Sequence, residues 1–237
     1  MASILDIAED ACDELSLASP SALVDNDTDD TARKMLRAIT RTCRQLATRF
    51  DWQKLRAEHT FTTAAAAAQT ASTPLPTDFL RFVPDSMYNR TTRFRVTGPL
   101  TPDEWQGHQA ALVTRVYDAF TLRGNIFLMA PTPAAGETIA YEYITKNIGT
   151  DTTLATARSA FTVDTDVPYL DDELITLGVI WRYRKAEGQD YSEEYREFEL
   201  RLNDLIKMDG GRRMVDMGGG SHDRIPVPPR VPDTLVF

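Results

Sequence analysis

The stretch that decides the fold of this chain is LPTDFLRFVPDSMYNRTTRFRVTGPLTPDEWQ, residues Leu75–Gln106. Polar and aromatic side chains alternate over 78–83 and again over 93–96, which predicts two short strands. A Gly-Pro pair at 98–99 ends the second strand, because these residues break regular structure. The stretch contains no catalytic set, so it predicts a structural module.

A helix start follows directly after the second strand. Thr101 is a suitable cap residue, Pro102 suits the first helical position, and Glu104 can reach back to the cap amide. Apart from this helix, an alternating period extends from Glu58 to about Val163 and predicts a half-buried antiparallel sheet.

Further strands are predicted on both sides of this block. A strand begins with His59, Phe61 and Thr63, and residues 120–129 are expected to pair with 138–145 across a loop that contains proline and glycine. The connection 62–73 contains only Ala, Thr, Ser and Gln, so we expect a mobile loop without specific contacts.

Helical spacing occupies the two ends of this β region. Residues 3–15 and about 29–50 carry apolar stripes at intervals of three and four, which predicts two amphipathic helices. A third helix begins at about 171 and ends at Gly188, and a fourth, capped by Asp190, extends to 209. The connection between them is short, so it predicts an antiparallel helical hairpin. Trp181, Tyr183 and Phe198 are expected in its core.

These elements predict an α+β fold: a helical bundle, made of N-terminal helices and a C-terminal helical hairpin, with an inserted antiparallel β domain and an extended C-terminal tail. The expected boundaries are 1–57 for the N-terminal helices, 58–165 for the β domain, 166–209 for the hairpin and 210–237 for the arm.

The charge of the chain is strongly uneven. Nine acids precede the first basic residue, Arg33, and they account for the whole net charge of −9. Phosphate backbones would repel this acidic segment, so it either docks on a basic partner or lines a passage through which DNA slides. The two N-terminal helices therefore have opposite charge, and their faces can pair within a subunit, pair between subunits or remain solvated. The candidate subunit contacts are Asp6, Asp10 and Asp13 on the first helix and Arg33, Arg37, Arg41 and Arg44 on the second.

Several classes of site are excluded by the sequence. The acidic run from Asp25 lacks the glycine and glutamate of a calcium loop, and the three histidines have no zinc-ligand spacing. Cys12 and Cys43 lie on apolar stripes, where a thiol is usually a buried hydrophobe. Acids are abundant, but nothing specifies a catalytic pair. We therefore expect no cofactor, no metal, no catalytic residue and no enzymatic role. Without a membrane span or signal peptide, the chain is expected to mature in the cytoplasm.

The segment 212–237 contains a triple glycine, four prolines and an apolar end, a composition that cannot build a helix. It is either a free tail or an arm that fills a groove or adds a strand to a partner. We favour docking, and the candidate partner contacts are Arg212, Arg213, Ile225, Val227, Leu235, Val236 and Phe237.

The pieces DFLRF, NRTT, GPLTPDEWQ and DGGRR occur in this order, with WRYR in the third helix. In this ordered set the chain resembles the head-to-tail adaptor proteins of tailed bacteriophages, which include the tail tubular protein A group. The resemblance implies a virion protein at the head-tail junction, assembled in the host cytoplasm. It also implies a ring of about twelve copies beneath the portal protein.

Such a ring would extend the DNA channel, let genomic DNA pass without sequence-specific binding, and present a platform to a tail nozzle or tail-completion protein. Its C-terminal arm would reach along the portal. The alternative is a soluble muralytic or regulatory protein.

Overall fold

The computed structural model describes residues 2–26, 29–70, 73–110 and 118–210. Helices and antiparallel strands are both present in this part of the chain, which confirms the predicted mixed α+β class.

The helices are α1 (Ile4–Glu14), α2 (Asp30–Arg49), α3 (Pro102–Ala110), α4 (Asp172–Ala186) and α5 (Ser192–Asp209). The strands are β1 (Arg56–Thr62), β2 (Phe79–Phe82), β3 (Tyr88–Asn89), β4 (Phe94–Arg95), β5 (Ala119–Arg123), β6 (Ile126–Ala130), β7 (Thr138–Thr145), β8 (Gly149–Thr150), β9 (Ala157–Arg158) and β10 (Val167–Pro168).

The described residues divide into two compact units. The helical unit comprises residues up to 56 and from 144 to 210, and the β unit comprises 57–143. Residues 144–165 therefore group with the helices and not with the β domain in which the sequence analysis placed them. Their place follows from contacts with the N-terminal region: Leu5 N donates to Asp164 O at 3.3 Å, and Val24 N donates to Asp164 Oδ1 at 2.7 Å.

Side-chain caps fix where the helices of this unit begin. Ser3 Oγ accepts from Asp6 N while Asp6 accepts from Ser3 N, so α1 starts with a capping box. Asp29 caps α2 and Asp171 caps α4. For α5 the predicted cap was wrong by one residue, since its cap position is Tyr191 and Asp190 accepts from Ser192 N.

The core of the helical unit forms around α4, which contacts α1, α2 and α5. Gly178 permits a close approach of α2 and α5 to α4, because a Cβ at this position would lie 2.4 Å from Thr42 Cγ2 and 3.2 Å from a ring carbon of Phe198. Trp181 and Phe198 are buried as expected, whereas Tyr183 is only partly buried.

In the β unit, the strands follow the order β1-β7-β3-β4, and β2 also pairs with β7. Aromatic rings fill its core. The rings of Phe120 and Phe127 stack with centroids 4.9 Å apart, and Phe61 and Tyr141 pack beside them.

The strand pairing expected for 120–129 with 138–145 was wrong. Residues 119–130 form their own hairpin, β5–β6, while β7 pairs with β1, β2 and β3. The cause is the two-residue turn Gly124-Asn125, whose φ angles of 55° and 63° are those of a tight hairpin turn.

The expectation of a mobile loop without contacts at 62–73 was also wrong for its described residues. Gln69 is fully buried: its backbone N donates to Phe127 O at 2.9 Å, and its side chain bonds both the N and the O of Ala64. Met129 N donates to Ala67 O, so the segment runs along β6. The buried side-chain amide of Gln69 thus supplies specific contacts that could not be predicted from the composition of the segment.

We predict that Gly178→Ala lowers the free energy of unfolding of the helical unit by about 1–3 kcal/mol, because the added methyl group overpacks the α2–α4 contact. The matched control is Gly107→Ala in α3, where a Cβ meets nothing within 4 Å and alanine favours the helix. Urea denaturation followed by circular dichroism measures both. An unchanged or higher stability for Gly178→Ala would contradict the packing described.

Candidate interaction site

The acidic face of α1 lies opposite its core face. Asp6, Asp10 and Asp13 are exposed, and none of them forms an ion pair within the described chain. Asp6 accepts from the cap residue and Asp13 Oδ1 accepts from Ser19 Oγ at 3.3 Å, both local contacts. The opposite face is buried through Ile4, Ile7, Ala8, Ala11 and Cys12.

The basic face of α2 has the same relation to its core. Arg33, Arg37, Arg41 and Arg44 are exposed along one side of the helix. The other side is buried through Ala32, Met35, Ile39, Thr42, Cys43, Leu46 and Ala47. We call the middle part of the exposed side, Arg37, Arg41 and Arg44, the arginine stripe.

Both ends of α2 are neutralised within the chain. Arg33 pairs with Asp30 at 2.8 Å, and Lys34 pairs with Glu187, the residue that follows α4, also at 2.8 Å. At the other end, Arg49 pairs with Glu199 of α5 at 2.6 Å, and its hydrogen bond lowers the pKa of Glu199.

The arginine stripe has no such partner. Arg37 and Arg41 form no ion pair with any described residue, and Arg44 donates only to Ser159 O, at 3.5 Å. Arg182 of α4 adds to this charge, since it donates to two neutral groups, Thr42 Oγ1 at 3.0 Å and Gln45 Oε1. Desolvation, together with the nearby charge of Arg41, lowers the pKa of Arg182 to about 10. The arginine stripe and Arg182 together therefore form a basic patch whose positive charge no described acidic residue neutralises.

Arg182 was not predicted as part of this basic patch. The signal was present in the motif WRYR, where an arginine interrupts the apolar stripe of α4. Its position between α2 and α4 depends on tertiary packing, which periodicity alone does not give.

The acidic face and the arginine stripe lie on one unit without meeting. Each helix directs its apolar face into the core around α4, so the charged faces point outward. The predicted contact residues of the arm, from Arg212 to Phe237, lie outside the described residues.

Other candidate sites are structural in character. In the described ranges no group of three or more His, Cys, Asp or Glu is placed to hold a metal ion. Asn89 Nδ2 donates to Glu137 Oε2 at 2.8 Å and to Asp118 Oδ2 at 3.4 Å, while its Oδ1 accepts from two amides of a turn. Burial raises the pKa of Asp118. The carboxylates of Asp118 and Glu137, held by Asn89, connect a turn to the sheet.

Cys12 and Cys43 are free and buried, and burial raises the pKa of Cys43 to about 12.

None of the helices described is both long and apolar enough to cross a membrane.

We predict that neutralising the arginine stripe by Arg37→Gln, Arg41→Gln and Arg44→Gln together leaves the stability of the isolated chain unchanged or slightly higher, because like charges are removed. The matched variant Arg49→Gln should lower stability by about 0.5 kcal/mol, since it breaks a partly exposed ion pair. Urea denaturation measures both. A marked loss of stability in the triple variant would show that the stripe serves the fold of the single chain.

Comparison with known proteins identifies the family of the chain that carries the acidic face and the arginine stripe. Residues 2–221, almost the whole chain, match the family model described as SU10 adaptor protein. No curated protein matches the chain. The family match confirms the resemblance found in the ordered sequence pieces. The chain therefore belongs to the SU10 adaptor family and is a head-to-tail adaptor of a bacteriophage, a structural component of the virion that interacts with other head or tail proteins.

Proposed function

We propose that the chain forms a ring of about twelve copies beneath the portal protein, extends the DNA channel and provides the platform for a tail nozzle or tail-completion protein. In this proposal the helical bundle and its hairpin form the ring, the β domain is an insertion in it, and assembly takes place in the host cytoplasm.

One observation carries this proposal: the helical unit exposes an acidic face on α1 and an uncompensated arginine stripe on α2. A closed ring requires a head-to-tail interface in which two different faces of identical subunits meet. Two faces of opposite sign on the same chain can meet this requirement, because the acidic face of one copy can contact the arginine stripe of the next.

The charge distribution also suits a DNA channel. The net charge of −9 and the acidic N-terminal segment deny the phosphate backbone the contacts that release counterions. DNA would pass through such a ring without sequence-specific binding.

The portal contact is assigned to the C-terminal arm. Its sequence ends in Leu235, Val236 and Phe237, after Ile225 and Val227 at alternating positions, and it contains the basic pair Arg212 and Arg213. Side chains that alternate in this way suit a groove or an added strand of a partner.

We predict that deleting residues 212–237 leaves a folded, soluble monomer that no longer attaches to the portal. Sedimentation velocity of the purified chain with and without portal measures this, and circular dichroism checks the fold. The full-length chain should sediment as a monomer alone and as a ring on the portal.

A matched control carries the same 26 residues in scrambled order, which keeps length and charge but not the apolar alternation. Attachment of the truncated chain with unchanged affinity would refute the role of the arm. A full-length chain that stays monomeric with portal would refute the ring itself and favour a free regulatory or muralytic protein.

A further inference from the structure

We propose that α1 of one copy lies parallel along the arginine stripe of the next copy, with Asp6 opposite Arg37, Asp10 opposite Arg41 and Asp13 opposite Arg44. This inference rests on the proposed ring and specifies the register of its subunit contact.

The spacing of the charges supports this register. The three acids are separated by four and then three residues, and the three arginines by four and then three. Because both helices rise about 1.5 Å per residue, each acid meets an arginine at the same height when the helices are parallel. In the antiparallel direction the central pair would be displaced by one residue, about 1.5 Å.

The contact has to form between copies. The buried faces of α1 and α2 both pack into the core around α4, and this leaves the acids and the stripe exposed. Bringing them together within one chain would expose two apolar faces, whereas a second copy can offer its acids without any refolding.

The surface around the stripe favours a protein partner over DNA. Leu36, Thr40 and Phe161 line a cleft beside the arginines. A helix can cover these apolar atoms while its carboxylates reach the guanidinium groups, and an Arg–carboxylate pair can be bidentate. A phosphate backbone would use the arginines alone and leave the apolar atoms exposed.

The central pair provides the sharpest test. Either single reversal, Asp10→Arg or Arg41→Asp, should weaken ring formation on the portal about tenfold or more, because it places like charges opposite each other. The double variant should recover association to within about threefold of the original chain, since the pair is restored with its sign exchanged. Sedimentation velocity with portal at low and at physiological salt measures this, because screening reduces the effect of charge.

Matched controls come from α5. Arg196→Asp and Glu197→Arg reverse exposed charges outside both faces, so neither should change ring formation. The register is tested by Asp13→Arg, which Arg44→Asp should rescue. Rescue by Arg37→Asp instead would overturn the parallel register.

The outcomes separate this inference from the proposed function. If the original chain forms no ring on the portal, the proposed function fails. If it forms a ring that the single reversals leave unchanged, the pairing alone is refuted. Loss of DNA binding in Arg41→Asp with an intact ring would assign the stripe to DNA and also refute the pairing.

Discussion

The close approach of α2 and α4 at Gly178 is the constraint on which the rest of the helical unit depends. With no side chain at this position, Thr42 and Phe198 pack directly against the backbone of α4. The apolar faces of α1, α2 and α5 are thereby gathered around one helix. α1 and α2 each have a single apolar face, so burial of that face decides where their charges lie. The acids of α1 and the arginines of α2 are exposed for this reason.

The charged residues of α2 fall into two groups: those that form ion pairs within the chain, and those that are available to a partner. Pairs at the two ends of α2 link it to α4 and α5, as with Lys34 and Glu187. Between them, the arginine stripe forms no ion pair with any residue that the structure describes, and Arg182 beside it has a lowered pKa. A monomer gains nothing from such an arrangement, because unpaired like charges repel. Head-to-tail adaptors interact with other head or tail proteins, and such a neighbouring protein can neutralise the positive charge of the arginine stripe.

Local signals were sufficient for the helices and insufficient for the sheet. The cap at Thr101 was predicted, because the capping residue and the amide that it accepts from lie within three positions of each other. The starts of α1 and α4 were located near Ser3 and Asp171 from helical spacing, and their side-chain caps were not predicted. Strand pairing is non-local, and the turn at 124–125 went unrecognised, so one long strand was expected where a hairpin lies. The buried side chain of Gln69 could not be foreseen, because its contacts exist only once the hairpin is in place.

The candidate site shows the same division. Periodicity identified both charged faces and their residues, since exposure follows from the helical repeat. It could not decide between pairing within a chain and pairing between chains, because that depends on how the apolar faces are buried. It also missed Arg182, which joins the basic patch through packing of α4 against α2. The structure thus shows that the acidic face of α1 and the arginine stripe of α2, two faces of opposite charge on a single chain, both point away from its core.

The most direct test of this statement is chemical cross-linking of the ring on the portal. A chain carrying both Asp10→Cys and Arg41→Cys is treated with a short bismaleimide, while Cys12 and Cys43 stay unreactive because they are buried. The account predicts a ladder of covalent multimers that requires both substitutions in the same chain, since each link joins unlike faces. Rings whose new thiols are both labelled but remain unlinked would contradict it.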